Sequence, residues 1–158
     1  MKIANITLLE ENFKSILNID TLILCKGSDQ RSYQVLSLLL KNNISVRKIH
    51  VLNFLERENN LDKFDTLNYE SYSKFPFDFE EHQISDIRNF HSLIDIVELF
   101  KPRSISEVIY LDISSFIKPH FFVLIKSLKH LFANNRLGLI YTEPGSYNFK
   151  EKLYDQYS

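Results

Sequence analysis

The sequence predicts an α/β fold: a three-layer sandwich around a mainly parallel sheet of about 4–6 strands. Three observations carry this reading. Short apolar runs recur at Thr21–Cys25, Val46–Phe54, Val108–Leu111 and Leu137–Tyr141. The stretches between several of them space their apolar residues as helices do. The runs are also continuous rather than alternating, which suits strands covered on both faces. At 158 residues, the chain 1–158 fits a single domain. Its polar ending, Lys150–Ser158, reads as a cut inside a longer protein.

Taken in order, Ile3–Leu9 is expected to add an edge strand, and Thr21–Cys25 is the first core strand, ending at Lys26-Gly27. Ser28 or Asp29 can cap a following helix, whose apolar stripe is Tyr33, Val35, Leu36, Leu39 and Leu40. Asn42-Asn43 stops it and Val46–Phe54 resumes as a strand, closing a β-α-β unit of expected right-handed crossover. Glu56–Lys74 is polar, with Leu61, Phe64, Leu67 and Tyr69 as scattered helix contacts. Phe75-Pro76-Phe77 breaks the chain, and Phe79–Ile84 reads as a short strand. His91–Phe100 is expected as a helix ended by Pro102. Val108–Leu111 is a core strand ending at Asp112. Phe121–Phe132 is a helix with Phe122, Ile125, Leu128, Leu131 and Phe132 spaced for burial. Leu137–Tyr141, containing Gly138, is the last core strand.

Composition narrows the function classes. The 19 Lys+Arg nearly cancel 20 Asp+Glu, leaving a net charge of −1. There is therefore no whole-chain field for nucleic acid or an anionic membrane, and direct nucleic-acid binding is not expected. No apolar run approaches the roughly 20 residues that span a bilayer, and no signal-peptide pattern follows Met1-Lys2, so a cytoplasmic setting is expected. One cysteine excludes an internal disulfide framework and a multi-cysteine zinc site. Three glycines exclude the Walker and G-x-G-x-x-G phosphate loops.

In open parallel sheets, ligands bind beyond the carboxyl ends of the strands. Three strand exits here are polar. The first runs from Lys26 through Gly27, Ser28 and Arg31. A glycine before a capped helix lets a ligand approach the backbone, and the free N–H groups of the helix start favour an anion. A plain serine-capped turn would use the same residues. The second is Asp112-Ile113-Ser114-Ser115, where a carboxylate at a strand end can hold ribose hydroxyls. Pro119 suits a first helical position and would leave Ile113–Lys118 as an extended loop. The competing reading is that Asp112 or Ser115 only caps the helix. The third is Thr142-Glu143-Pro144-Gly145 with Tyr147, where a carboxylate, a hydroxyl and an aromatic ring leave the sheet together. Pro-Gly is also ordinary turn chemistry.

The remaining residues weigh less. His50, His82, His91, His120 and His130 show no metal-ligand spacing, so they read as surface or core histidines and no metal site is expected. Cys25, inside a buried strand, reads as an inert core thiol. Lys126, Lys129 and Arg136 read as a wetted face. The alternating Phe75, Phe77 and Phe79 are expected to leave one face exposed, a surface for self-association or a protein partner.

The segments Asp112-Ile113-Ser114 and Tyr141-Thr142-Glu143-Pro144 with Tyr147 resemble those of bacterial Rossmann-like proteins, whose strand ends carry D-I-S/T and Y-T-E-P…Y motifs. The resemblance implies that the polar exits belong to one site and brings no activity with it. The expected function is a sensor or regulatory domain for a nucleotide or nucleotide-derived signal. Lys26, Gly27, Ser28 and Arg31 would take phosphate. Asp112, Ser114, Ser115, Thr142, Glu143 and Tyr147 would take sugar and base. The alternative is a hydrolase or transferase acting at a nucleoside or NAD-like glycosidic bond, with Asp112 and Glu143 as catalytic candidates. A second alternative is a ligand-free interaction domain. No cofactor beyond such a nucleotide is indicated.

Overall fold

A computed structural model describes residues 18–26, 31–54, 72–84, 90–100 and 102–142. The elements run β1 (Asn18–Lys26), α1 (Arg31–Lys41), β2 (Ser45–Phe54), a short 3-10 turn at Tyr72–Lys74, β3 (Phe79–Ile84), α2 (Phe90–Val97), β4 (Val108–Asp112), α3 (Lys118–Leu131) and β5 (Arg136–Ile140). The five strands form one sheet of order β3-β2-β1-β4-β5. Every neighbouring pair is parallel. This is the Rossmann-like α/β sandwich that the apolar runs predict.

Side chains alternate across a strand, so β1 divides its own between two cores. Leu22 and Leu24 join Val35, Leu36 and Leu39 of α1, with Ile49 and Val51 of β2. Ile23 and Cys25 face the other way, toward Leu93 and Val97 of α2, Leu124 and Leu128 of α3, and Leu52, Ile109 and Leu111. Leu22, Ile23 and Leu24 are fully buried because β1 is covered on both faces and paired on both edges. At roughly 1.5–3 kcal/mol for each large apolar side chain removed from water, this strand anchors both layers. Asn43, after α1, takes φ 54°, the left-handed conformation that asparagine tolerates and that closes a helix.

Several expectations are corrected. Leu137–Tyr141 was expected as a core strand. Among the described residues β5 pairs only with β4, at the edge of the sheet, and Leu137 and Leu139 are half-buried. In α3 the buried line is His120, Leu124, Ser127 and Leu128. Phe122, expected inside, is 62% exposed, and Leu131 is exposed as well. Phe121 to Ile125 is apolar without interruption, so periodicity alone left the helix rotation open. Lys118 is the first residue of α3, Pro119 follows it, and no side chain caps the start at Ile117. Helix α2 ends at Val97 rather than Phe100. Leu40, expected in the α1 stripe, is exposed. Phe75, Phe77 and Phe79 are not a free aromatic face. They are half-buried, Phe75 stacking on Phe77 and Phe77 meeting Phe79 edge to face, and they pack on the α1-side core. The expected strand Ile3–Leu9, the Ser28 or Asp29 cap, the Tyr33 side chain, the contacts at Leu61–Tyr69 and the ending Lys150–Ser158 lie outside the described residues.

Candidate functional site

The strand order locates the site. The chain leaves β1 toward β2 on one side of the sheet and later reaches β4 on the other, so the β1/β4 boundary is the topological switch point. Beyond it lie the exits of β1 at Lys26, β4 at Asp112 and β5 at Tyr141-Thr142, adjacent along the same carboxyl edge.

At the β4 exit, Asp112 is only 2% exposed. It accepts hydrogen bonds from the Ser114 backbone N–H at 3.0 Å and from the Ser114 hydroxyl. The Ser114 oxygen in turn accepts the Thr142 backbone N–H at 2.8 Å. The Ile113 N–H donates to the Ile140 carbonyl, also at 2.8 Å. The second and third exits are thus tied together by one carboxylate–hydroxyl–amide chain. Burial raises the Asp112 carboxyl to about 6 from the usual 3.8, although the Ser114 bonds and the charge of Arg31 pull the other way. Arg31 opens α1, so its charge reaches the β4 exit across the switch point. The Thr142 hydroxyl is buried and has no hydrogen-bond partner among the described residues.

Across β1 lies a second group. Lys26 Nζ is 3.2 Å from both carboxylate oxygens of Glu81 in β3. Asn53, near the end of β2, donates from Nδ2 to Glu81 Oε1 at 2.7 Å. The Tyr72 hydroxyl donates to the Cys25 carbonyl at 3.4 Å and steadies the end of β1. Glu81 and Asn53 are polar participants that the sequence reading did not single out. Only the β3-β2-β1 register brings Asn53 and Glu81, the latter 55 positions away, beside Lys26. Lys26, expected to await a phosphate, carries a carboxylate partner instead.

Of the expected site residues, Lys26, Arg31, Asp112, Ser114, Ser115 and Thr142 therefore stand along the carboxyl edge. Gly27, Ser28, Glu143 and Tyr147 lie outside the described residues. Neither Asp112 nor Ser115 caps α3, whose start has no side-chain cap. A cavity of about 550 Å³ lies at the opposite edge, below the starts of β4 and β5, lined by residues such as Pro102, Arg103, Ile105 and Phe132.

His50, His82 and His120 are core residues and His91 and His130 surface ones, as expected. His120 is a core residue stacked on Phe54, with centroids 4.5 Å apart. His50 of β2 and His82 of β3, however, are brought to 2.9 Å between His50 Nδ1 and His82 Nε2. Glu80 lies 3.9 Å from each of those nitrogens. Spacing along the chain gives no such group, whereas the parallel ladder assembles it from two strands. Cys25 is buried in β1, as expected.

No family model, curated protein or solved structure matches the chain. No helix among the described residues is long and apolar enough to cross a membrane.

Proposed function

We propose that the domain binds a nucleotide or nucleotide-derived signal across the carboxyl ends of β1 and β4, as a sensor or regulatory module of a cytoplasmic protein. The observation that carries this is the concentration of polar groups at the sheet's switch point. Arg31 and the buried Asp112 act on one another there, and the Lys26–Glu81–Asn53 group stands on the other side of β1. Arg31 and the N–H groups at the start of α1 would meet phosphate. Glu81, still 41% exposed, can accept hydroxyl hydrogen bonds, with Lys26 and Asn53 fixing its orientation. Asp112 is too enclosed to serve as an open acceptor. Its part is to hold Ser114 and Thr142 in place, so that the β4 and β5 exits present one fixed wall.

The test is thermal unfolding against a panel of mononucleotides, cyclic nucleotides and NAD. At least one should raise the Tm in proportion to its concentration. A ligand at 100 times its Kd adds about 2.7 kcal/mol. Arg31→Ala should abolish the rise without lowering the Tm of the unliganded protein by more than a degree or two. Absence of any shift across the panel would refute the reading. Release of the free base or nicotinamide, lost in Asp112→Asn, would replace it with the hydrolase or transferase alternative.

A further inference from the structure

We propose that His50, Glu80 and His82 form a binding site for a divalent first-row transition cation of the zinc class, with one coordination position open to an adjoining cavity. The site is independent of the carboxyl-edge reading. His50 lies in β2, directly opposite Glu80 in the parallel ladder, and His82 follows two residues later on the same face of β3. One ligand atom from each residue falls within 4.8 Å of the other two. His50 Nδ1 and His82 Nε2 are 2.9 Å apart, and Glu80 reaches the first with Oε2 and the second with Oε1, each at 3.9 Å. A tetrahedral ion with bonds of about 2.0–2.1 Å requires ligand atoms about 3.3 Å apart, so the two imidazoles must part by about half an ångström and the Glu80 carboxylate must swing one oxygen toward both. Two imidazoles with one carboxylate suit zinc and its neighbours and are poor for calcium or magnesium, which prefer all-oxygen shells.

The surroundings fit a held ion. Both imidazoles are buried, and Phe100 packs against them, with its ring 4.4 Å from His50 and 5.4 Å from His82 between centroids. That apolar cover fixes the rings and excludes competing water. Burial also keeps both histidines in the neutral form whose lone pairs bind metals. A cavity of about 290 Å³ opens beside His50 and Glu80, lined also by Thr21, Lys48, Phe100 and Arg103. Its cations leave the open position suited to a water or a small anion. Lys48 is the built-in competitor. It holds Glu80 at 3.3 Å and Asp78 at 3.2 Å, and an incoming cation must take Glu80 from it. The two rings share a single hydrogen bond, which metal binding replaces.

The test uses chelator-treated full-length protein titrated calorimetrically with Zn²⁺, and with Co²⁺ followed by visible absorption. The proposal expects one equivalent of Zn²⁺ and the intensified Co²⁺ bands of a four-coordinate site. His82→Gln should weaken Zn²⁺ binding by more than about tenfold, and Glu80→Gln should weaken it measurably. His130→Gln, on the exposed end of α3, should leave it unchanged. Because His82 is buried and its variant can lose stability, the half-exposed pair of Glu80 and Lys48 supplies a second arm. Lys48→Ala frees Glu80 and removes a repelling charge, so it should tighten Zn²⁺ binding several-fold. Absence of saturable binding would overturn the proposal. So would binding indifferent to both His82→Gln and Glu80→Gln, or a loss of affinity in Lys48→Ala.

Discussion

Asp112 shows how one side chain serves structure and sets a pH response together. Its carboxylate joins two strand exits through Ser114, yet the ionised form sits where water cannot reach it. Burial outweighs the Ser114 bonds and the Arg31 charge, and the group moves from 3.8 to about 6. A carboxyl raised on folding holds its proton more tightly in the native state. Its stabilising contribution is therefore complete below pH 3.8 and is lost as pH rises to about 6. The span corresponds to on the order of 3 kcal/mol. Asn in its place still accepts the Ser114 bonds and carries no proton to lose. The stability of Asp112→Asn relative to wild type should therefore rise by that order between pH 4 and pH 7. Urea denaturation at several pH values measures it, and a constant difference would show that the carboxyl does not titrate in this window. The sequence placed Asp112 correctly because an acidic residue closing an apolar run is a local signal. Glu81, 55 positions from Lys26, had no local signal to offer.

The strands were the legible elements, and the face of α3 was not. β1, β2 and β4 announced themselves because central parallel strands are apolar on both faces. β3 was also placed correctly, although half its side chains are exposed. The rotation of α3 was hidden by its unbroken Phe121–Ile125 run, and the place of β5 at the edge of the described strands by its apolar Leu137, Leu139 and Ile140. Apolar content reports burial only where an alternation or a stripe remains to be read. Gly138 is the exception that makes β5 specific. A Cβ built there would lie 2.5 Å from Tyr110 Cε1 and 2.6 Å from Cδ1, so the paired position on β4 is filled by the tyrosine ring. Gly138→Ala should cost about 1–3 kcal/mol, the usual penalty of overpacking. In a Tyr110→Ala background the cost should largely vanish. A double-mutant cycle by chemical denaturation reads the coupling, and additive losses would rule out the ring as the cause.

At the scale of the whole molecule the sheet acts as a partition. Glu80 and Glu81 are consecutive in β3 and point to opposite faces. One meets His50 and His82 beneath Phe100, and the other meets Lys26 and Asn53 on the α1 side. Two buried titrations are thereby kept apart, and their signs oppose. Burial, aided by the facing His82, pushes His50 from 6.5 down to about 4, with Glu80 raising it and Lys48 and Arg47 lowering it. A group depressed on folding contributes stability that is present above pH 6.5 and lost as pH falls through about 4. That is also on the order of 3 kcal/mol, in nearly the same window as Asp112 and in the opposite direction. The His82 shift, likewise downward through burial, adds to the His50 side. Metal-free wild-type protein, measured in chelator, should therefore show only a shallow dependence of stability on pH between about 4 and 6.5. Each single variant should unmask what the other group hides. Asp112→Asn should become steadily more stable as pH rises through the window. His50→Gln should become less so, since the Asp112 loss then faces only the His82 gain. The effects of the two substitutions should add to within about 0.5 kcal/mol at any one pH, since the groups share no partner and lie on opposite faces of the sheet. Strong non-additivity would mean that β1 and β2 transmit strain between the faces, and the partition would fail as a description of the fold.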